Sequence, residues 1–546
     1  MTVDERQPHD ADTQPHATAA HGHGQGHGGA AVAQTLAALG ADVVFTVSGN
    51  QVLPIFDAAG DYGLRLLHMR HESAAVYAAA GYAEQTGRPG VALVSAGPGF
   101  LAALMALAVV RSMELPVLLL SGDTPEADGP GAFQALDQVF TAAPYCRQSS
   151  RVTSYDEIAQ TLVDGWALAQ MGVPGPVHVA LPSDVLRADG ELPHALPAAN
   201  LTHDVGLRGD AVALTARLAT AERPALIVRP AAMRGAAGAA LLRIAATLGV
   251  TPIVAESPRG FSDPRFSDLL PLLREADVVL AVASADFTTG WLERSVLGDA
   301  DLLLVSAPGD LPPRTVPAAS VTGDLALVLT AIANTLPEVA PATDWSARWQ
   351  IAPPPTAPVD QHADIHPLEL AETLGELLRP TDTLVLDGGE CAQWMRLGWR
   401  DLPQRMLWNS TLGAIGGAIP LALGAAAGGA TRVIAVAGDG GVGYHIAEME
   451  TAERESLPIV VVVGNDARWG AEWHQQIAKY GPERTFGTAL LPARYDVVAA
   501  GFGVDGWTVN EHDDLLPRLR QALDSGRPGL VNVHIACVAS PAVVTH

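Results

Sequence analysis

Short apolar runs alternate with longer stretches of helical spacing along most of the chain. The clearest example spans residues 433–470: VIAVAGDGGVGYHIAEMETAERESLPIVVVVGNDARWG. Residues 433–437 form a β-branched run that suits a buried parallel strand. Gly438-Asp439-Gly440 breaks it. Residues 444–455 have helical spacing, with Ile446, Met449 and Ala452 or Glu453 on successive turns. Leu457-Pro458 stops the helix. Residues 459–463 predict a second buried strand, closed by Asn465-Asp466. This βαβ pattern puts Asp439 and Asp466 at neighbouring strand ends. Ligands of open parallel sheets sit at those carboxyl ends. Glycines let a backbone approach a diphosphate, and a helix N-terminus favours its charge. Oxygen ligands on two adjacent turns suit the Mg²⁺ that bridges such a group.

The same alternation divides the rest of the chain. Residues 1–28 are polar and of low complexity, ending HGHGQGHGG, and predict a disordered tail. Its histidines can capture Zn²⁺ or Ni²⁺ adventitiously, but a solvated tail is the plainer reading. Residues 29–190 open with the helix AAVAQTLAAL. They continue through the strands ADVVFTVSG, LRLLHM, GVALVSAGPG and PVLLLSGD, and close with VPGPVHVALPSDV. Residues 200–337 repeat the pattern less distinctly in ALIVRP, VTPIVAE, DVVLAVAS and DLLLVSA. A Pro-rich linker covers 338–363. Residues 364–546 hold the opening stretch, preceded by the helix HPLELAETLGELL, the strand DTLVLDGG and the glycine-rich WNSTLGAIGGAIPLAL. The prediction is an α/β protein of three doubly wound parallel-sheet domains, two large ones around a smaller one. The outer two are compatible with an old duplication, although their internal identity is weak.

Composition narrows the function. A chain of 546 residues holds about three domains. It is 48% apolar and 17% charged, enough for large cores. Its formal net charge of −26 argues against nucleic acid and anionic membrane surfaces as partners. Local dipoles and a metal, rather than net charge, decide whether a diphosphate binds. Cys146, Cys391 and Cys537 are too scattered for a disulfide framework or zinc site, so a cytoplasmic setting is expected. No apolar run reaches the roughly 18–20 residues of a membrane span, and the N-terminus lacks the form of a secretory signal.

The stretch GDGGVGYHI…GND resembles the thiamin diphosphate (ThDP) signature. The family usually has asparagine where this chain has Asp466. A carboxylate is still a good Mg²⁺ ligand, and it adds a negative charge beside the diphosphate. Far upstream, Arg70-His71-Glu72-Ser73 follows the strand LRLLHM. Alone, Glu72 would read as a helix N-terminal charge. Together, RHE early and GDG…ND late resemble the acetolactate synthase and benzaldehyde lyase branch, over nearly all of residues 29–540. SGNQVLPIFDA and AFQALDQVFTAAP resemble acetolactate synthase elements. GDGGVGYHI, RWGAEWHQQIAKYGPERTFGT and YDVVAAGFGVDGW resemble benzaldehyde lyase.

The resemblance implies roles. Glu72 would hydrogen-bond N1′ of the cofactor's aminopyrimidine and share a proton with it. The imino tautomer would then deprotonate thiazolium C2, and the C2-ylid would attack a carbonyl, with the ring as electron sink. Ile415 would hold the two rings in a V, and the Gly413 carbonyl would take the 4′-amino group. Asp439, Asp466 and the Arg468 backbone carbonyl would hold Mg²⁺. Gly438, Gly440, Gly441, Trp469 and the turn Asp387-Gly388-Gly389-Glu390 would surround the diphosphate. Ser48, Asn50, Gln51 and Gln134 match substrate-pocket positions on the first domain, and Trp473 and His474 match the loop after the metal. Benzaldehyde lyase has histidine where Gln51 stands, which weakens a benzoin-cleavage reading. Acetolactate synthases also bind FAD in the middle domain. Residues 200–337 carry no such fingerprint, so FAD is not expected, while ADP or CoA stays open. The implied enzyme is a ThDP- and Mg²⁺-dependent lyase or carboligase acting on 2-oxo acids or 2-hydroxy ketones. It would be a homodimer or homotetramer with intersubunit sites. The alternatives are a 2-oxo acid or 2-oxoacyl-CoA decarboxylase, for which His474 is the nearest proton donor, and a non-catalytic homologue.

Overall fold

The computed structural model describes residues 24–129, 131–200, 207–257, 259–266, 268–283, 289–337, 344–349, 364–399, 405–409 and 412–541. Three six-stranded sheets carry the chain. In the first, the spatial order is Arg65–His68, Val43–Thr46, Gly90–Val94, Val117–Asp123, Val177–Pro182, Gln148–Arg151, all parallel. In the last it is Arg405–Trp408, Thr383–Leu386, Val433–Gly438, Ile459–Asn465, Gly529–His534, Asp505–Val509, again all parallel. Numbered along the chain, both sheets have the same order, so the similarity of the outer domains extends to topology. The middle sheet has five parallel strands and an antiparallel edge strand, Arg208–Gly209. Purely parallel strands buried on both faces explain why the central runs are continuously apolar rather than alternating.

The two outer sheets share one core. Its centre is a pair of small-residue helices, Glu72–Thr86 from the first unit and Ala418–Ala427 from the last. They pack so closely that a Cβ on Gly424 would lie 1.8 Å from the Ala78 carbonyl oxygen, and one on Gly81 would lie 2.0 Å from that of Leu421. The run AAVYAAAG is therefore a contact surface. The middle unit is tied to both neighbours by buried ions. Arg229 reaches Glu114 of the first unit at 3.1 Å as well as Asp310 at 2.5 Å. Arg396 of the last unit reaches Asp263 at 2.7 Å and Glu256 at 2.8 Å, with its guanidinium 4.0 Å from the Trp408 ring centroid. Removing one partner from such a pair leaves a buried charge uncompensated and typically costs about 3–5 kcal/mol.

Several boundaries differ from the sequence reading. Gln25–His27, assigned to the tail, pair antiparallel with Asp189–Glu191, and the first helix starts at Gly28. Residues 1–23 lie outside the described residues. Within 338–363, Trp345 and Trp349 are buried in the middle core, and the Trp345 indole donates to the Pro224 carbonyl at 2.8 Å. Residues 344–349 are anchored there because the two indoles bury large aromatic surface, and the rest of 338–363 lies outside the described residues. The helix expected over 444–455 is two short helices, Asp439–His445 and Glu448–Arg454. Helical structure thus begins at Asp439 itself. The strands Gln148–Arg151, Ala319–Thr322 and Arg405–Trp408 were not foreseen.

Candidate active site

At the carboxyl end of the last sheet lies a cleft of about 700 Å³. It is lined by Gly388, Gly389, Glu390, Gly413, Ile415, Gly438, Asp439, Gly440, Gly441, Asp466, Arg468 and Trp469. The glycines are where backbone or rings crowd. A Cβ on Gly440 would meet the Trp469 ring at 2.6 Å, and one on Gly388 would meet the Ala414 carbonyl oxygen at 2.1 Å. Gly440 and Gly441 fall in the first turn of the helix Asp439–His445, where N–H groups have no intrahelical acceptor. A diphosphate is the kind of group such a turn receives.

Asp439 and Asp466 end adjacent parallel strands, paired through Gly438 and Gly464. Asp439 is buried, and its Oδ2 has no hydrogen-bond partner. Asp466 Oδ1 accepts the Arg468 N–H at 3.1 Å across a turn in which Ala467 has φ +54°. Burial, and then the charge of Asp466, pushes the Asp439 carboxyl up to about 7. Burial, and then the charge of Glu390, pushes Asp466 up to about 6. A buried carboxylate with an orphan oxygen, its charge disfavoured by the half-buried Asp466 beside it, fits a hard cation. Among the described residues no group of three or more His, Cys, Asp or Glu gathers as a metal cluster. A cation here would complete its shell with backbone carbonyl, diphosphate or water oxygens.

Ile415 is half-buried on the cleft wall, between Gly413 (φ +75°) and Gly416 (φ +89°). Its loop is fixed by Asp387, which does not line the cleft. The Asp387 carboxylate accepts the Gly416 N–H at 2.8 Å, the Gly417 N–H at 3.1 Å and the Asn409 amide at 3.1 Å. Asp387 thus shapes the loop instead of facing a diphosphate. Glu390 lines the cleft, but its carboxylate is engaged by His474 at 2.8 Å and the Ser540 N–H at 2.6 Å. His474, nominated as a proton donor, does not line the cleft. Burial works against its charged form, but the bonds to Cys537 and Glu390 outweigh burial and hold the imidazole at about 10. A buried carboxylate needs a cationic partner, and His474 is committed to that role. Trp473 lies under the Arg468 guanidinium, 4.8 Å from ring centroid to Cζ.

A second cluster lies on the first sheet. Ser95 donates to the Gln51 side-chain oxygen at 2.6 Å, and the Gln51 amide donates to Gln134 at 2.6 Å. Gln134 has φ +64° and packs against Gly97. The Glu72 carboxylate borders the same turn, since a Cβ on Gly99 would lie 3.2 Å from its Oε1. Glu72, Gln51 and Gln134 therefore come together, joined by Ser95, whose position in SAGPG at a strand end was the available signal. Asn50 and Ser48 are exposed, and the Ser48 N–H donates to His68 at 3.2 Å. Glu72, Gln51 and Gln134 are not among the residues lining the diphosphate-type cleft of the same chain. Arg259 of the middle unit does line it, together with Gln393 and Trp394. Nothing in the spacing of 200–337 signalled that arginine, because its place is set by tertiary packing.

The two halves of this geometry correspond to the two family descriptions that match the sequence. "Thiamine pyrophosphate enzyme, N-terminal TPP binding domain" covers residues 26–141, and "Thiamine pyrophosphate enzyme, C-terminal TPP binding domain" covers residues 387–533. The chain belongs to the thiamine pyrophosphate enzymes, and within them to the acetolactate synthase-like branch. It is 32% identical over 533 residues to the "Probable acetolactate synthase" of Mycobacterium bovis, covering 93% of this chain and 95% of the relative. It is 26% identical over 538 residues to the "Acetolactate synthase, catabolic" of Raoultella terrigena, covering 93% and 95%. It is 28% identical over 580 residues to the human "2-hydroxyacyl-CoA lyase 2", covering 93% and 90%. Among the described residues no helix is long and apolar enough to cross a membrane.

Proposed function

We propose that the protein is a ThDP- and Mg²⁺-dependent carbon–carbon lyase or carboligase that acts beside the carbonyl of a 2-oxo acid or 2-hydroxy ketone, without FAD. The observation that carries this reading is the glycine cleft with Asp439 and Asp466 at adjacent strand ends, one carboxylate oxygen buried without a partner. In the reading, Asp439, Asp466 and the Arg468 carbonyl hold Mg²⁺. Gly440 and Gly441 offer N–H groups to the diphosphate, and Ile415 supports the bend of the cofactor. Bound ThDP supplies a carbon nucleophile and an electron sink. Glu72 holds a proton at the aminopyrimidine. Gln51 and Gln134, fixed by Ser95, orient a carbonyl or hydroxyl oxygen of the substrate. Because the Glu72 cluster and the cleft are apart within one chain, the reading pairs Glu72 of one protomer with the cleft of its partner, in a homodimer or homotetramer. A decarboxylase assisted by His474 is disfavoured by the engagement of that ring with Glu390 and Cys537.

The test is a product screen with pyruvate, glyoxylate, benzaldehyde, benzoin and a 2-hydroxyacyl-CoA, with ThDP and Mg²⁺, with and without FAD. Glu72→Gln is expected to lower turnover roughly 10²–10⁴-fold, the range for a positioned acid–base group. Wild-type turnover in that variant would remove the assignment.

A further inference from the structure

Behind the cleft wall, four segments converge on a set of side chains that the proposed reaction does not use. The strand Gly529–His534 continues into Ala536-Cys537-Val538, and Ala536 and Val538 line the cleft. The helix Gly470–Tyr480 contributes His474, the helix Glu390–Gly398 contributes Glu390, and the chain near its end contributes the Ser540 N–H. Cys537 Sγ lies 3.6 Å from His474 Nε2, and His474 Nδ1 lies 2.8 Å from Glu390 Oε2. The other carboxylate oxygen of Glu390 accepts the Ser540 N–H at 2.6 Å, which fixes the carboxylate. A thiol facing one nitrogen of an imidazolium whose other nitrogen is held by a carboxylate is the setting of an activated cysteine. The imidazole and carboxylate side chains are only 10% and 7% exposed, so the pair is largely shielded from solvent. Cys537 itself is half-buried, unlike Cys146 and Cys391, which are buried.

We propose that Cys537, beside the His474 imidazolium that Glu390 orients, is a nucleophilic thiol and a modification site for soft electrophiles and hydroperoxides. The His474 Nε2–H faces the sulfur, and the thiol proton leaves to water as the sulfur reacts. With iodoacetamide, the S–C bond forms as the C–I bond breaks, and iodide leaves. With a hydroperoxide, sulfur attacks the terminal oxygen and the O–O bond breaks. Sulfur is oxidised to the sulfenic acid, the peroxide is reduced, and the departing alkoxide takes the proton from His474. The two buried cysteines serve as internal controls, because burial pushes each thiol up to about 12.

The full-length protein is treated with iodoacetamide at about pH 7, and the adduct at each cysteine is counted by peptide mass spectrometry. Because its sulfur faces the His474 ring, Cys537 is expected to react about tenfold faster than free cysteine. Cys146 and Cys391 are expected to stay unreacted over the same period. His474→Gln is expected to bring Cys537 down to the free-cysteine rate or below. A wild-type Cys537 that reacts no faster than free cysteine overturns the proposal, whatever the variant does. So does a folded His474→Gln protein that keeps the wild-type rate.

Discussion

Asp466 departs from the asparagine that the family resemblance leads one to expect, and its position beside Asp439 makes the departure testable. Both side chains offer an oxygen to a cation, but only the carboxylate repels Asp439. Asp439 is the member with the orphan oxygen, so the pair is unequal. Asp439→Asn is expected to weaken Mg²⁺ binding in the presence of ThDP by more than about tenfold, because a negative oxygen ligand is lost. Asp466→Asn, which removes the repulsion and keeps a carbonyl oxygen, is expected to change it by less than about tenfold. Calorimetric titration of both variants checks this, and equal losses would show that the two side chains are equivalent ligands. At this scale the sequence was informative wherever chemistry and local turn coincide: Glu72, Gln51, Gln134, Ile415, Asp439 and Asp466 stand at strand ends or glycine turns. It was silent where a side chain's partner comes from far along the chain. Asp387 looked like a diphosphate neighbour until Gly416, Gly417 and Asn409 were seen to take its oxygens. His474 looked like a pocket acid until Glu390, 84 residues away in sequence, was seen to hold it.

Among elements, the unforeseen helix break at Ile446-Ala447 has a reason in tertiary contacts. The first short helix ends at His445, whose Nε2 accepts from Ser73 at 2.8 Å and whose Nδ1 donates to the Gly416 carbonyl at 2.5 Å. The second begins at Glu448, which accepts the Arg70 N–H at 2.9 Å and the Thr451 hydroxyl at 2.7 Å. The turn bearing Glu72 thus rests on the last unit of its own chain. Helical periodicity was legible there, but the break was not, because it serves bonds to a segment hundreds of residues away. The missed strands are explained similarly: QSSR has no apolar pattern, and its strand is an edge. Burial pushes the Glu448 carboxyl up to about 7. A raised carboxyl favours the folded state fully below its unfolded value, about 4.3, and that contribution is lost as pH rises through the folded value. Glu448→Gln stays neutral and keeps an acceptor for Arg70. Its melting temperature relative to wild type is expected to rise between about pH 4 and 7 and level off above, by the equivalent of on the order of 3 kcal/mol. A difference that does not vary with pH would mean that Glu448 is not held neutral by burial.

For the whole molecule, the decisive property is that one chain holds the Glu72 cluster and the metal-type cleft without joining them. The large shared core between the first and last units fixes their relation within the chain, so closure of one half onto the other would have to break the Gly81–Leu421 and Gly424–Ala78 contacts. A second copy can instead bring its Glu72 turn to this cleft by twofold symmetry and receive the same in return. Mixing Glu72→Gln and Asp439→Asn chains separates the two arrangements. Each variant alone has every site damaged. In a mixed dimer with intersubunit sites, one site combines the intact Glu72 of one chain with the intact Asp439 of the other, and the second site carries both substitutions. One of the two sites in each mixed dimer is intact, so the mixed dimer is expected to show about half of wild-type turnover. If each site were built within a single chain, every site in the mixture would still lack one group, and the mixture would stay as inactive as its parents. Co-purification through two different tags, followed by the turnover assay on the doubly tagged fraction, distinguishes the outcomes.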